Sequence, residues 1–152
     1  MELVDTTRLV VVGEEIARTV RYSTEEIAAF ARMTFDDNPL HLDPEVAKQG
    51  RFGRIIASGQ QTSAILTGML ATYFSRNDDG VERRMLCLNM NFAFKAPVFA
   101  EQDVHLLWRV SAAEWNRSLK GMVVHLDGNA RPPDGQPAVI ARGTILVSHA
   151  QA

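Results

Sequence analysis

The chain has 152 residues, 46% of them hydrophobic and 22% charged, a composition typical of one soluble globular domain. Its 16 Lys and Arg nearly balance 18 Asp and Glu, so the net charge of −2 supplies neither a basic field for nucleic acid nor a basic run for an anionic membrane. One cysteine, Cys87, excludes an internal disulfide and a zinc site of several cysteines, and we expect a buried thiol in a reducing compartment. These numbers predict a single domain spanning residues 1–152, with no nucleic-acid or membrane partner.

A strand and a capped helix are the first predicted elements. The strand lies around residues 16–22, and Ser23 and Glu26 after it have the spacing of a capping box at a helix start. Apolar and small residues then recur at helical spacing over about three turns: Ile27, Phe30, Ala31 and Thr34. Pro39 ends this helix or lies just beyond it, and a short second helix is predicted from Pro44 with Asp43 as its cap.

The longest segment without a charged residue spans residues 55–75. Its 21 residues are enough to cross a bilayer, but eight Ser, Thr and Gln side chains within it argue against a membrane span. We therefore predict a helix over about residues 60–75, inside the domain, with a stripe of small residues: Ala64, Gly68, Ala71 and Ser75. Because the rest of its surface is largely apolar, we expect this helix to be buried on all sides. Residues 1–5 lack the pattern of a signal peptide, so a cytoplasmic location is expected.

The second half of the chain alternates apolar and polar residues with a period of two. Four strands are predicted, around residues 86–94, 104–110, 122–126 and 139–147. One face of the first strand is expected to carry five large side chains: Leu86, Leu88, Met90, Phe92 and Phe94. The Pro- and Gly-rich residues 131–137 indicate a hairpin connection, and strands joined in sequence by hairpins favour an antiparallel sheet. The predicted architecture is α+β, a curved antiparallel sheet of about five strands wrapped around one long helix.

Residues 35–43 carry the densest group of reactive side chains, with three acids, an Asn, a Pro and a His. Pro39 keeps residue 38 out of helical geometry, which indicates an ordered turn and not a charged helix face. Asp36 and His41 across this turn could converge on one point and hold a water between them. Composition alone leaves open an exposed Asx–Pro turn with a purely structural role.

Gly59 lies where the long helix is predicted to begin. Its N–H would be one of the unpaired donors at the positive end of the helix dipole, where a developing oxyanion is stabilised. The alternative is a glycine required for close packing.

Together the two segments resemble the MaoC-like dehydratase and (R)-specific enoyl-CoA hydratase family, whose motif is Asp-x-Asn-Pro-x-His followed by Phe-Gly-x-x-Ile-Ala-His-Gly. The matching residues are Asp36-Asp37-Asn38-Pro39-Leu40-His41 and Phe52-Gly53-Arg54-Ile55-Ile56-Ala57-Ser58-Gly59. A third segment, Phe92-Ala93-Phe94-Lys95-Ala96-Pro97-Val98, is similar to the family's strand ending in Phe-x-x-Pro-Val, so the resemblance covers most of the chain. The family has the hot-dog fold, which agrees with the architecture predicted from periodicity.

The resemblance implies a role for each matching residue. Asp36 and His41 would activate water, Asn38 would hold the turn and orient them, and the Gly59 N–H would polarise a thioester carbonyl. The implied reaction adds water to a trans-2-enoyl thioester to give an (R)-3-hydroxyacyl product, or the reverse. The substrate would be a thioester of CoA or of acyl carrier protein, with no cofactor. No His, Asp or Glu residues have the spacing of metal ligands such as His-x-x-x-His, so no metal is predicted.

The chain departs from the family pattern at two positions. Phe35 replaces the glycine that usually precedes the catalytic Asp, and it could narrow the substrate channel or shift the carboxylate. Ser58 replaces the family His before Gly59, and its hydroxyl can still cap a helix or donate to a carbonyl. The candidates for contact with CoA phosphates are Arg51, Arg54, Arg84 and Lys95, although solvated surface charge is the simpler interpretation.

Two other functions stay open for this chain. One is a hot-dog thioesterase, and the other is a non-catalytic subunit that binds acyl thioesters, which the changes at Phe35 and Ser58 would suit. The free edges of a sheet around one helix favour pairing with a second copy, so we expect a homodimer or a dimer-based oligomer.

Overall fold

The computed structural model describes residues 9–150, which form a five-stranded antiparallel sheet and four helices. In chain order the elements are β1 (Glu15–Arg21), α1 (Thr24–Met33), α2 (Pro39–Leu42), α3 (Pro44–Gln49), α4 (Gly59–Tyr73), β2 (Arg83–Phe94), β3 (Asp103–Asn116), β4 (Gly121–Arg131) and β5 (Val139–His149). The predicted α+β class is confirmed. The prediction from residues 1–5 lies outside the described residues.

The hydrophobic core lies between α4 and the inner face of the sheet. The predicted period-two faces of β3, β4 and β5 are buried, with Trp108, Val124 and Ile145 each at 0% exposure. The Trp108 indole donates a 2.8 Å hydrogen bond to the carbonyl of Leu66 in α4. The sheet and α4 are therefore joined by both apolar packing and a buried hydrogen bond.

The strand order, β1-β3-β4-β5-β2, differs from the predicted succession of hairpins. β3, β4 and β5 form the expected meander, and residues 132–138 connect β4 to β5 as predicted. β2, however, pairs with β5 and not with β3. The chain leaves β2 through residues 95–102 and pairs briefly with the segment before α4, where Ile56 and Phe99 form an isolated bridge. That detour brings the end of β2 next to the start of α4.

A β-bulge in β2 makes the predicted face of that strand wrong in its first half. The register shifts between Cys87 and Asn89, so the alternation of side chains changes sides there. Leu86 and Leu88 are exposed, while Met90 packs against the core as predicted. Cys87 is also exposed, contrary to the expected buried thiol.

The central helix α4 begins and ends within two residues of its predicted bounds but is not buried on all sides. Leu66 and Leu70 are fully buried, whereas the small residues are exposed: Ala64, Gly68, Ala71 and Ser75. The sheet covers one side of the helix, and no other element of residues 9–150 covers this stripe. Within the same residues, no helix is long and apolar enough to cross a membrane.

Candidate active site

The end of α1 fixes the position of Asp36. The N–H of Asp36 donates to the carbonyl of Ala31 at 2.8 Å, and the N–H of Phe35 donates to Arg32 at 3.2 Å. This pair of bonds is a Schellman motif, in which the residue before the last donor adopts a left-handed conformation. Phe35 takes that conformation, with φ of 59°, and its side chain is 93% exposed. Helix termination thus places the carboxylate of Asp36 at a defined point.

A one-turn helix that the sequence did not predict places His41 close to Asp36. The Asn38 side chain accepts a 3.1 Å hydrogen bond from the N–H of Leu40 and caps α2, and Pro39 occupies the first helical position. The Asn38 N–H in turn donates to Asp36 Oδ1 at 3.0 Å. Asn38 therefore connects the carboxylate to the helix that carries His41.

His41 and Asp36 form a close pair with free hydrogen-bonding capacity between them. His41 Nδ1 lies 2.7 Å from the carbonyl oxygen of Ile56, and a carbonyl only accepts, so Nδ1 carries the hydrogen of the neutral ring. Nε2 then presents a lone pair, and it lies 3.5 Å from Asp36 Oδ2. Two acceptors face each other at this distance, with side chains 7% and 20% exposed. A molecule with two O–H donors, such as water, satisfies both.

Gly59 begins α4 as expected, and the ring of Phe94 packs directly on it. A Cβ at residue 59 would lie 2.6 Å from the Phe94 ring, so only glycine allows this approach. As the first residue of a 15-residue helix, Gly59 has an N–H without an intrahelical acceptor. Ser58, the residue before it, makes no side-chain capping bond. The positive end of α4 is thus left without a side-chain cap.

A cavity of about 560 Å³ joins the histidine to this helix end. Its lining includes His41, Ser58, Gly59, Phe94 and Lys95. Its apolar walls come partly from Phe52, Ile56 and Val98.

The other predicted substrate residues lie outside this lining. Arg54 stacks on the ring of Phe99 at 4.0 Å, and Phe35 extends into solvent. Arg51, another of the cations considered for phosphate contact, lines the cavity beside Phe52. Among residues 9–150, no group of three or more His, Cys, Asp or Glu comes together as a metal site.

The packing of Phe94 on Gly59 is a feature of the candidate site that sequence reasoning missed. The position of Phe94 in the Phe-x-x-Pro-Val segment marked it as part of a motif, but its contact with Gly59 depends on the path of residues 95–102. The acceptor for His41 Nδ1 was missed for the same reason, because Ile56 belongs to the segment that pairs with Phe99.

Comparison with known proteins supports the fold and the family. An (R)-specific enoyl-CoA hydratase from Aeromonas caviae is 28% identical over 130 residues, which are 84% of this chain and 92% of the relative. A mitochondrial 3-hydroxyacyl-[acyl-carrier-protein] dehydratase from Arabidopsis thaliana is 26% identical over 96 residues, 63% of this chain and 53% of that protein. A solved structure of an (R)-hydratase from A. caviae involved in PHA biosynthesis superposes with a TM-score of 0.77 at 26% identity, covering 90% of this chain and 96% of that one.

The likeness to this solved structure identifies the sheet around α4 as a single hot-dog domain. The sequence profile of the MaoC like domain matches residues 9–129. The chain therefore belongs to the MaoC-like family, which includes hydratases and dehydratases.

Proposed function

We propose that this protein adds water to a trans-2-enoyl thioester to give an (R)-3-hydroxyacyl thioester, or catalyses the reverse dehydration. The observation that carries the proposal is the pair of acceptors, Asp36 Oδ2 and His41 Nε2, held 3.5 Å apart. His41 also lines the cavity into which the start of α4 opens at Gly59. Water activation and carbonyl polarisation are the two requirements of this reaction. The proposal assigns the first to Asp36 and His41 and the second to the Gly59 N–H.

The proposed mechanism divides the work between these two groups. The thioester carbonyl accepts a hydrogen bond from the Gly59 N–H, and a water donates to Asp36 and His41. As the water oxygen adds to the β-carbon, one proton passes to the Asp36–His41 pair and negative charge develops on the carbonyl oxygen. The pair then returns a proton to the α-carbon, so one water is added in total. The positive end of α4 stabilises the intermediate charge.

Asn38 positions this pair through its two hydrogen bonds, one to Asp36 Oδ1 and one from Leu40. Lys95 at the cavity is proposed to contact the phosphates of the thioester carrier, and Arg54 to contribute from its place against Phe99. Ser58, which lines the cavity, and Phe35, next to Asp36, are proposed to contact the substrate. The reaction consists of proton transfers and carbonyl polarisation, so we propose that it needs no cofactor.

The names of the relatives support a thioester substrate. One is called an enoyl-CoA hydratase and the other a 3-hydroxyacyl-[acyl-carrier-protein] dehydratase, two directions of the same chemistry on two carriers. We propose an acyl-CoA or acyl-carrier-protein thioester for this chain too, acting in a homodimer or dimer-based oligomer. The cytoplasmic location stays a prediction.

The test follows the near-ultraviolet absorbance of the conjugated enoyl thioester with the purified protein. Asp36→Asn and His41→Gln should each lower kcat/KM roughly 10²-fold or more, because the amide side chains cannot take a proton from the attacking water. Asp37→Asn is the matched control: it neutralises the neighbouring exposed acid and should leave the rate unchanged.

Full activity in both variants would overturn the proposed roles of Asp36 and His41. Release of free thiol without hydration would identify a thioesterase instead. Binding of acyl-CoA without turnover across a range of chain lengths would identify a non-catalytic subunit.

A further inference from the structure

The starts of α1 and α4 share a capping pattern but use it differently. At the start of α1 the capping box is complete. Ser23 Oγ accepts a hydrogen bond from the Glu26 N–H at 3.1 Å, and the Glu26 carboxylate accepts one from the Ser23 N–H at 2.9 Å. Ser58 and Gln61 have the same spacing before α4, yet Ser58 makes no side-chain cap. Ser58 Oγ and Gln61 Oε1 are both buried without a hydrogen-bond partner within residues 9–150.

A serine at this position is therefore unfavourable for the protomer alone. Ser58 is only 4% exposed, and a buried polar group without a partner costs about 1–3 kcal/mol. The capping bond that would offset this, about 1 kcal/mol, is not formed. An alanine at residue 58 would avoid the cost of burying an unpaired hydroxyl. The stability of the fold therefore does not explain why residue 58 carries one.

The other hydroxyls between residues 59 and 67 of α4 are already engaged. Thr62 pairs with the hydroxyl of Tyr22 at 3.0 Å, Ser63 donates to the Gly59 carbonyl at 3.0 Å, and Thr67 donates to Ser63 at 2.9 Å. Among the described residues of this part of the helix, Ser58 alone keeps a free hydroxyl. It precedes Gly59 directly, and both line the cavity that contains His41.

We infer that the Ser58 hydroxyl is a second hydrogen-bond donor to the thioester carbonyl, beside the Gly59 N–H. This inference rests on the proposed function, since it assigns a group to the same carbonyl. The serine Oγ–H can turn toward the ligand because no protein acceptor fixes it. A carbonyl oxygen has two lone pairs, and two donors stabilise the developing negative charge more than one.

The experiment compares Ser58→Ala with Ser23→Ala in thermal unfolding and in hydration kinetics. Ser58→Ala should lower kcat roughly 10²-fold and raise KM several-fold, and its Tm should equal or exceed that of the wild type. Ser23→Ala should show the opposite pattern, a lower Tm and full activity, because its cap is formed and lies outside the cavity. Ser58→Cys, of similar shape but with a weak donor, should reproduce the loss of kcat.

Binding of butyryl-CoA, a saturated thioester that cannot be hydrated, separates this inference from the proposed function. If the wild type binds it and Ser58→Ala binds it several-fold more weakly, the Ser58 assignment stands even if no enoyl thioester is hydrated. Wild-type kcat and wild-type butyryl-CoA affinity in Ser58→Ala would overturn the assignment, as would a Tm loss like that of Ser23→Ala with full activity. A wild-type protein that neither binds butyryl-CoA nor hydrates enoyl thioesters would overturn both proposals.

Discussion

At the scale of single residues, Phe35 combines a strained backbone with an exposed side chain. It occupies the left-handed position of the Schellman motif, which usually holds glycine, and its φ is 59°. A left-handed conformation costs a residue with a Cβ about 1–2 kcal/mol, and an aromatic ring that is 93% exposed recovers little of it by burial. The strain lies directly before Asp36, so substrate contact is the proposed reason for keeping this ring.

Phe35→Gly should therefore raise the free energy of unfolding by about 0.5–1 kcal/mol, the relieved strain less the greater entropy of an unfolded glycine. Urea unfolding measures this change. Phe35→Ala is the control, because it removes the ring but keeps the Cβ and the strain. If the ring contacts the substrate, both variants raise KM alike. A glycine variant no more stable than the alanine variant would refute the strain at this position.

The closeness of Asp36 and His41 could be predicted from the sequence because it is local. The end of α1 and the start of α2 position Asp36 and His41 within a few residues of each other. The capping residue Asn38 and the helix-starting Pro39 that mark this turn can be recognised in the sequence. The Phe94 ring on Gly59 could not be predicted in the same way. That contact depends on which strands pair with each other. The hydrophobic periodicity of the sequence does not indicate the order of the strands in the sheet.

At the scale of elements, the connection from α4 to β2 is held by a charge pair. Arg83, whose side chain is buried, donates to both oxygens of Asp79 at 2.8 and 2.7 Å and to the carbonyl of Leu9 at 3.0 Å. The hydrogen bonds from Arg83 hold the pKa of Asp79 well below its ordinary value near 3.8. The folded state thus favours the carboxylate, so its stabilisation is complete above that ordinary value and is lost as the pH falls below it.

Asp79→Asn should lower stability at neutral pH and make the loss of stability between about pH 5 and pH 2 less steep. Urea unfolding at a series of pH values measures both effects. Asp78→Asn is the matched control, since Asp78 is far more exposed and lies 3.9 Å from Arg76. An acid dependence identical in Asp79→Asn and the wild type would show that this pair does not couple to folding.

The bulge in β2 shows why one element was predicted wrongly while its neighbours were right. β5 has no register shift in its pairing with β4, so its alternation predicts the buried residues correctly. In β2 the extra residue near Leu88 moves the side chains before it to the face opposite the predicted one. Because leucine is apolar, it is compatible with the hydrophobic alternation in either register, so the sequence does not reveal the bulge. The exposed Leu86 and Leu88 that result lie on the edge strand of the sheet.

At the scale of the whole molecule, two exposed apolar surfaces favour a second copy of the chain. β2 has one neighbour in the described sheet, β5, and its exposed side chains include Leu86, Leu88 and Phe94. The small-residue stripe of α4 is exposed as well. Small residues allow close approach of another backbone, and an unpaired edge strand invites continuation of the sheet.

Gly68→Lys tests this dimer because its effect on the protomer alone is favourable. A Cβ at residue 68 meets no atom within 4 Å, and lysine is a better helix former than glycine. If the stripe lies in the dimer interface, the charge separates the copies, and sedimentation gives the 16.9 kDa chain mass for the variant and twice that mass for the wild type. Met33→Lys introduces the same charge at an exposed site on α1 and should stay dimeric. A Gly68→Lys variant that sediments as the wild type does would place the interface elsewhere, and a monomeric wild type would refute the dimer itself.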